Sequence, residues 1–275
     1  MKSPSLPASL VIGCGFLGWK ILQRLVDSGG PVWASTRDVE KAKLIKDAGA
    51  VHLPLDLDQP ATWSGLDALD GRDCRVYFLV PPSKIKLDLL RQVLQQLAGI
   101  GPRRLVLCSS TVVFGKTTRI VNADSSVDID SQRAARQFEI EKAFCETRLD
   151  TRIVRLAGLY GEDRIVGRQS VLAGDTLRGS AQSYLNLVHV GDAADLLIRV
   201  MHSESAGLHE LGSDGTPILR GDYYRLLARQ LSAPEPVFAE DEAGGEGRRC
   251  DNTLTCERNA WKPRHPDCRE LLKAL

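Results

Sequence analysis

No apolar run in this sequence approaches the roughly 20 residues that would span a bilayer, so an integral membrane role is not expected. Charge of one sign is missing too. Lys and Arg number 36 against 35 Asp and Glu, a formal net charge of +1, which removes the electrostatic reason to expect nucleic acid or an anionic membrane as partner. The seven cysteines, at 14, 74, 108, 145, 250, 256 and 268, include no Cys-x-x-Cys pair. Zinc ribbons and thioredoxin-like sites are therefore disfavoured, no metal site is expected, and reduced thiols in a cytoplasmic protein are the reading. Internal repeats and low-complexity tracts are absent. The opening "MKSPSLPASLVIGCGFLG" resembles a secretory signal only loosely, because glycines interrupt its apolar stretch.

What is there alternates. "ASLVIG" reads as a buried strand, after which Leu17, Ile21, Leu22 and Leu25 recur at helical spacing. "PVWAST" is a second strand, "DVEKAKLIKDAG" a charged helix stopped by Gly49, and "AVHLPLD" a third strand. "CRVYFLV" is a fourth; Ile85, Leu89, Val93 and Leu97 mark a helix before "RRLVLCSS", the fifth. "SQRAARQFEIEKAF" (131–144) is a helix and "TRIVRLAGLYG" a sixth strand. Short connections between parallel strands require right-handed crossovers, which put helices on both faces. The fold class is α/β: a Rossmann-type doubly wound parallel sheet with a small C-terminal α+β lobe. Residues 1–158, completed by 185–202, form the nucleotide-binding domain, and 159–184 with 203–275 form the lobe. After Gly161, "YLNLVHV" offers a strand, "GDAADLLIRVMH" a helix, "GLHELG" a short strand and "AEDEAGGEGRRCD" a mobile loop.

"GCGFLG" places Gly13, Gly15 and Gly18 in a G-x-G-x-x-G spacing between the first strand and helix, the context this motif needs. Gly13 permits the turn, Gly15 admits a pyrophosphate, and Gly18 packs helix on strand. Free N–H groups of the helix's first turn, at Phe16, Leu17 and Gly18, face the anion. At the end of the second strand an NAD site carries Asp or Glu; here Ser35, Thr36 and Arg37 stand instead, a set suited to a 2′-phosphate, so NADP(H) is preferred over NAD. Asp38 reads as a helix N-cap. Asp56 either meets the adenine edge or forms a turn. Val80, closing the fourth strand, completes the cofactor set. Cys14 sits near a helix N-terminus, where a thiol pKa can fall, although a small residue fitting the turn explains it as well.

Together, "GCGFLG", "CSSTVVFG", "RLAGLYG" and "NLVHVGDAADLL" resemble the short-chain dehydrogenase/reductase superfamily, and more closely its NAD-dependent epimerase/dehydratase branch in an atypical form. The resemblance spans nearly the whole chain and implies a nicotinamide cofactor across the strand ends, with a substrate lobe above. It also implies that "WKPRHPDCRELL" packs the small lobe through its tryptophan–proline stretch, and that dimerisation through a bundle near 131–147 is possible. The family's Ser corresponds to Ser110, with Thr111 beside it touching substrate. Its Tyr-x-x-x-Lys aligns with Arg133 and Gln137. None of the five tyrosines, at 77, 160, 184, 223 and 224, has a lysine four residues on. Arginine, with a pKa above about 12, is a poor proton donor, and Arg133 suits a substrate carboxylate or phosphate better; alternatively Arg133 and Gln137 face solvent. Tyr160 is a candidate replacement acid, Ser110 the main candidate for substrate contact. His189 is read as a structural histidine where the lobes meet, with Asp192 capping the next helix. Two functions remain open: an NADP(H)-dependent oxidoreductase-like or epimerase/dehydratase-like enzyme with an atypical site and unknown substrate, or a non-enzymatic NADP(H)-binding sensor or scaffold.

Overall fold

The computed structural model describes residues 7–69, 73–239 and 247–275. Strand β1 (Ala8–Ile12) leads into helix α1 (Phe16–Asp27), β2 (Val32–Ser35) into α2 (Val39–Asp47), and β3 (Val51–Leu53) into a 3₁₀ segment. Next come β4 (Cys74–Phe78), α3 (Leu87–Ile100), β5 (Arg104–Ser110) and the two-residue β6 (Ile120–Val121). Helix α4 (Gln132–Cys145) precedes β7 (Thr151–Leu156), β8 (Gly158–Tyr160) and α5 (Arg168–Ala173). The chain closes with β9 (Tyr184–Leu185), β10 (Leu187–His189), α6 (Val190–His202), β11 (His209–Gly212), β12 (Ile218–Leu219), α7 (Arg220–Gln230), β13 (Arg249–Cys250), α8 (Thr253–Asn259) and α9 (Cys268–Lys273).

Seven strands form one parallel sheet in the order β11-β7-β5-β4-β1-β2-β3. Central strands of such a sheet are covered on both sides, so their side chains are apolar without alternation. All five residues of β1 are buried, and they divide by parity. Val11 joins Ile21 and Leu22 of α1 and Ala193 and Leu197 of α6 on one face. Leu10 and Ile12 join Val93 and Leu97 of α3 and Phe144 of α4 on the other. The Rossmann-type α/β architecture is thus present, with helices on both faces. No helix among the described residues is long and apolar enough to cross a membrane.

Several boundaries differ from the sequence reading, each for a local reason. "GLHELG" supplies β11, so residues assigned to the lobe provide the seventh strand of the central sheet. Ile85 precedes α3, because Pro81–Pro82 lead into a 3₁₀ turn that delays the helix to Leu87. "TRIVRLAGLYG" divides: after Ala157 donates to the Gly212 carbonyl (2.9 Å), Gly158 N–H turns to the Asn186 carbonyl (3.0 Å), and β8 pairs with β10 outside the main sheet. "YLNLVHV" divides at Asn186, whose side chain donates to the Arg248 carbonyl (2.9 Å) and accepts from Cys250 N–H (2.8 Å). Of the expected loop at 239–251, residues 240–246 lie outside the described residues, while Arg249–Cys250 pair with Ile120–Val121. Trp261 packs with α6 in the sheet's core instead of the lobe's, which is built from Tyr160, Ile165, Leu187, Tyr223, Tyr224 and Leu227.

Candidate functional site

The strand order reverses direction between β1 and β4, and in open α/β sheets ligands bind at the carboxyl ends of strands flanking that point. There Gly13 takes φ +90°, and a Cβ on it would meet the Val80 nitrogen at 3.1 Å. Gly18 is closed to any side chain: its Cβ would lie 2.7 Å from the Gly13 carbonyl oxygen. Gly15 is different, since a Cβ there would point into space with nothing within 4 Å. As N-cap of α1 it offers no side-chain cap. The first helical bond runs from Trp19 N–H to the Gly15 carbonyl (2.9 Å). That leaves the N–H groups of Phe16, Leu17 and Gly18 without intrahelical acceptors, at the positive end of the helix dipole. They line a cleft of about 370 Å³ whose wall also includes Val80.

Ser35, Thr36, Arg37 and Asp56 all line this cleft, but their side chains are not equally free. Ser35 Oγ accepts from Gly13 N–H (3.1 Å) and is buried, so it braces the turn. Thr36 Oγ1 accepts from Asp38 N–H (3.2 Å), and Asp38 caps α2 by accepting from Lys41 N–H (3.1 Å). Asp56 takes the turn-forming role, accepting from Asp58 N–H and Gln59 Nε2 (3.0 Å each). Arg37 is half-exposed, with loose ion pairs to Asp56 (4.0 Å) and Asp58 (3.8 Å). Lys41 also lines the cleft, a second cation that the sequence reading missed. Its signal was present: the third residue of a capped helix points its side chain back toward the preceding strand end.

Beyond the cleft opens a second chamber of about 940 Å³, sharing Pro81, Cys108, Ser109, Ser110, Gln137 and Arg164 with the first. Ser110 opens onto both, and its Oγ accepts from Val112 N–H (3.3 Å), leaving its own proton available. Arg133 lies on the second chamber's wall alone. Gln137 does not face solvent, contrary to one sequence alternative; it is buried on the boundary of both chambers. Its Nε2 donates to Ser109 Oγ (3.0 Å), and Ser109 donates to Glu141 Oε1 (2.5 Å). Arg155 holds the same carboxylate from Nε (3.1 Å) and a terminal nitrogen (2.8 Å). Glu141 and Arg155 are both buried. None of this network was foreseen, although Gln137 and Glu141 at i and i+4 share a helix face with Ala134 and Phe144.

Two proposed site residues lie elsewhere. Tyr160 lines neither chamber. It is buried in the lobe core, its hydroxyl 3.5 Å from the His265 carbonyl, and burial raises its phenol pKa well above the ordinary value. Its neighbour Leu159 lines both chambers, and the alternation of side chains along β8 turns Tyr160 to the opposite side. Thr111 also lines neither chamber, being buried beneath the 3₁₀ turn 111–114 in contact with Cys250. His189, not Asp192, caps α6: its Nδ1 accepts from Gly191 N–H (3.2 Å). Asp192 instead accepts from the N–H groups of Arg264 (3.0 Å) and His265 (2.8 Å) and faces His265 Nδ1 (3.0 Å), tying down the C-terminal segment. His189 and His265 stack at 3.7 Å; burial, and then the neighbouring His265 charge, lower the His189 pKa. All seven cysteines are free. Burial raises Cys14 to about 11 against the opposing charge of Lys41, and burial pushes Cys108 up to about 12.

No protein-family model matches the sequence, and no curated protein sequence matches it significantly. Solved structures do. UDP-glucose 4-epimerase from Thermotoga maritima, determined with UDP-glucose, is 18% identical with a TM-score of 0.77, over 97% of this chain and 96% of that one. A short-chain dehydrogenase/reductase superfamily protein from Agrobacterium tumefaciens, determined with bound NAD, is 14% identical at TM-score 0.76, over 96% and 94%. A conserved protein of unknown function from Silicibacter pomeroyi is 19% identical at 0.77, over 98% of both chains. From end to end, this chain has the fold of the epimerase and short-chain dehydrogenase/reductase structures.

Proposed function

We propose that the chain binds NADP(H) in the first cleft and acts as an oxidoreductase-like or epimerase/dehydratase-like enzyme on a small molecule in the second chamber. The carrying observation is the corner at 13–18: three N–H groups without intrahelical acceptors and an open Gly15 face a cleft continuous with the Ser110 chamber. Phe16, Leu17 and Gly18 N–H groups would hold the diphosphate. Arg37 and Lys41 would hold a 2′-phosphate, since neither is locked by a short ion pair. When bound, the nicotinamide supplies a hydride donor or acceptor. Ser110 Oγ donates to a substrate oxygen and orients it.

The expected result is tighter binding of NADPH than NADH, by tenfold or more, with Arg37→Ala removing the preference. Equal affinities in both proteins would eliminate the 2′-phosphate reading. A sensor or scaffold is the second reading, supported by a definite feature. Among the described residues the second chamber's wall carries no Tyr, His, Asp or Glu, and its one thiol, Cys108, stays protonated. Loss of a positioned general acid lowers rates by roughly 10²–10⁴. Slow NADPH oxidation against a panel of ketones, imines and nucleotide sugars supports the enzyme; tight nucleotide binding with no turnover supports the sensor.

A further inference from the structure

The second chamber carries positive charge that nothing in the described protein neutralises. Arg133 and Arg136 reach its wall from α4 and Arg164 from the loop after β8, while no Asp or Glu lines it. None of the three has an ion pair among the described residues, whereas several other helical arginines are matched. Arg91 pairs with Asp88, Arg199 with Asp195 and Arg225 with Asp222, all at helical spacing. Arg136 has Glu139 three residues on, yet it donates to the Ile85 carbonyl at the chamber's edge and makes no ion pair with that glutamate.

Arg133 and Arg136 stand at i and i+3, where like charges repel. Arg133 also bears on Arg248, a half-buried guanidinium whose pKa is lowered first by burial and then by Arg133. Beside them, Gln137 Oε1 is buried and has no hydrogen-bond partner, although its amide nitrogen is engaged. A buried carbonyl oxygen left unsatisfied is unfavourable unless a ligand donor reaches it. Unpaired guanidiniums with an unfilled acceptor form a complementary set: anionic group at one end, hydroxyl or amine donor at the other.

We propose that the second chamber takes a small organic anion, a hydroxy-carboxylate or a phosphate ester. Arg133 and Arg136 grip the charged group and Gln137 Oε1 accepts from a hydroxyl. Arg164 lines both chambers and so serves either ligand, but Arg133 and Arg136 touch only the second. They are not needed for the nucleotide. The inference rests on the nucleotide occupying the first cleft, and the test separates the two.

Glycerol, glycerate, glycerol 3-phosphate and 3-phosphoglycerate share a scaffold and differ in charge; each is titrated calorimetrically into the full chain saturated with NADPH. Binding should strengthen at least tenfold from glycerol to the anions. Arg133→Gln, and the double variant with Arg136→Gln, should weaken the anions by tenfold or more while NADPH affinity stays within twofold. Lysine at both positions should restore part of the loss, and Gln137→Leu should weaken the hydroxy-anions. Should Arg136→Gln misfold by releasing the Ile85 carbonyl, Arg133→Gln decides alone, since its side chain is exposed. Glycerol binding as well as the anions, no saturable anion binding, or unchanged binding in the arginine variants overturns the proposal. If NADPH itself fails to bind, the cofactor reading falls, and the same titrations on nucleotide-free protein judge the anion site independently.

Discussion

Among single residues, the glycines of the phosphate corner separate folding from binding. Gly18 has the Gly13 carbonyl oxygen 2.7 Å from where a methyl would sit, a backbone contact that cannot rotate away. Gly18→Ala should therefore cost about 1–3 kcal/mol of stability, the usual range for overpacking, measured by urea denaturation. Gly15→Ala meets nothing within 4 Å and should stay within about 0.5 kcal/mol of the parent. Its methyl, however, occupies the space above the free N–H groups, so NADPH affinity should drop at least tenfold. A Gly15→Ala protein that binds nucleotide normally would contradict the placement of the diphosphate. Spacing alone made all three glycines legible, because Gly13 and Gly18 are fixed by local backbone geometry and the motif sets Gly15 between them. Tyr160 was misplaced for the opposite reason: Leu159 beside it lines both chambers while Tyr160 faces the lobe core, and which of two neighbours past a strand end faces a cleft depends on tertiary pairing.

At the level of elements, α4 is held by a buried charge pair, Glu141 with Arg155. Glu141 joins α4 to β7 through Arg155 and to β5 through Ser109. The pair's desolvation is offset only while both partners are present. Glu141→Ala should lose about 3–5 kcal/mol by leaving Arg155 buried and uncompensated. The double change Glu141→Met with Arg155→Met should lose less than either single substitution, by equilibrium unfolding. Additive losses would show that the pair is not coupled. The sequence pattern placed this helix over 131–144; in the structure Ser131 stands before it as the N-cap, accepting from Ala134 N–H (3.2 Å). The pattern could not show that Gln137 and Glu141 are inside, since polar residues on a helix face ordinarily read as solvated, and burial here follows from partners on two strands, Arg155 14 residues downstream of Glu141 and Ser109 28 residues upstream of Gln137.

For the whole molecule, the parallel sheet was readable because each strand is an apolar run between turn signals, whereas membership of β11 in it was not. That strand pairs with β7 across some fifty residues of intervening chain, a long-range fact no local pattern carries. Just beyond β11, where sheet and lobe meet, lies Asp214, whose N–H donates to the Leu187 carbonyl (2.7 Å). Its Oδ1 accepts from Thr216 N–H (3.0 Å) but its Oδ2 is buried without a partner. Burial, helped by the nearby Asp267 charge, raises its pKa to about 7. With an unfolded value near 3.9, the folded chain binds the proton more tightly. The favourable contribution is then complete below about pH 4 and is lost as pH rises to about 7 and beyond. That gap corresponds to on the order of 4 kcal/mol as an upper bound. Asp214→Asn keeps the shape without the ionisation, so it should raise the unfolding midpoint at pH 8 and converge with the parent near pH 4. Parallel pH–stability curves for the two proteins would mean that this carboxyl ionises as freely in the folded chain as in the unfolded one, and that the joint between sheet and lobe is wetter than its packing implies.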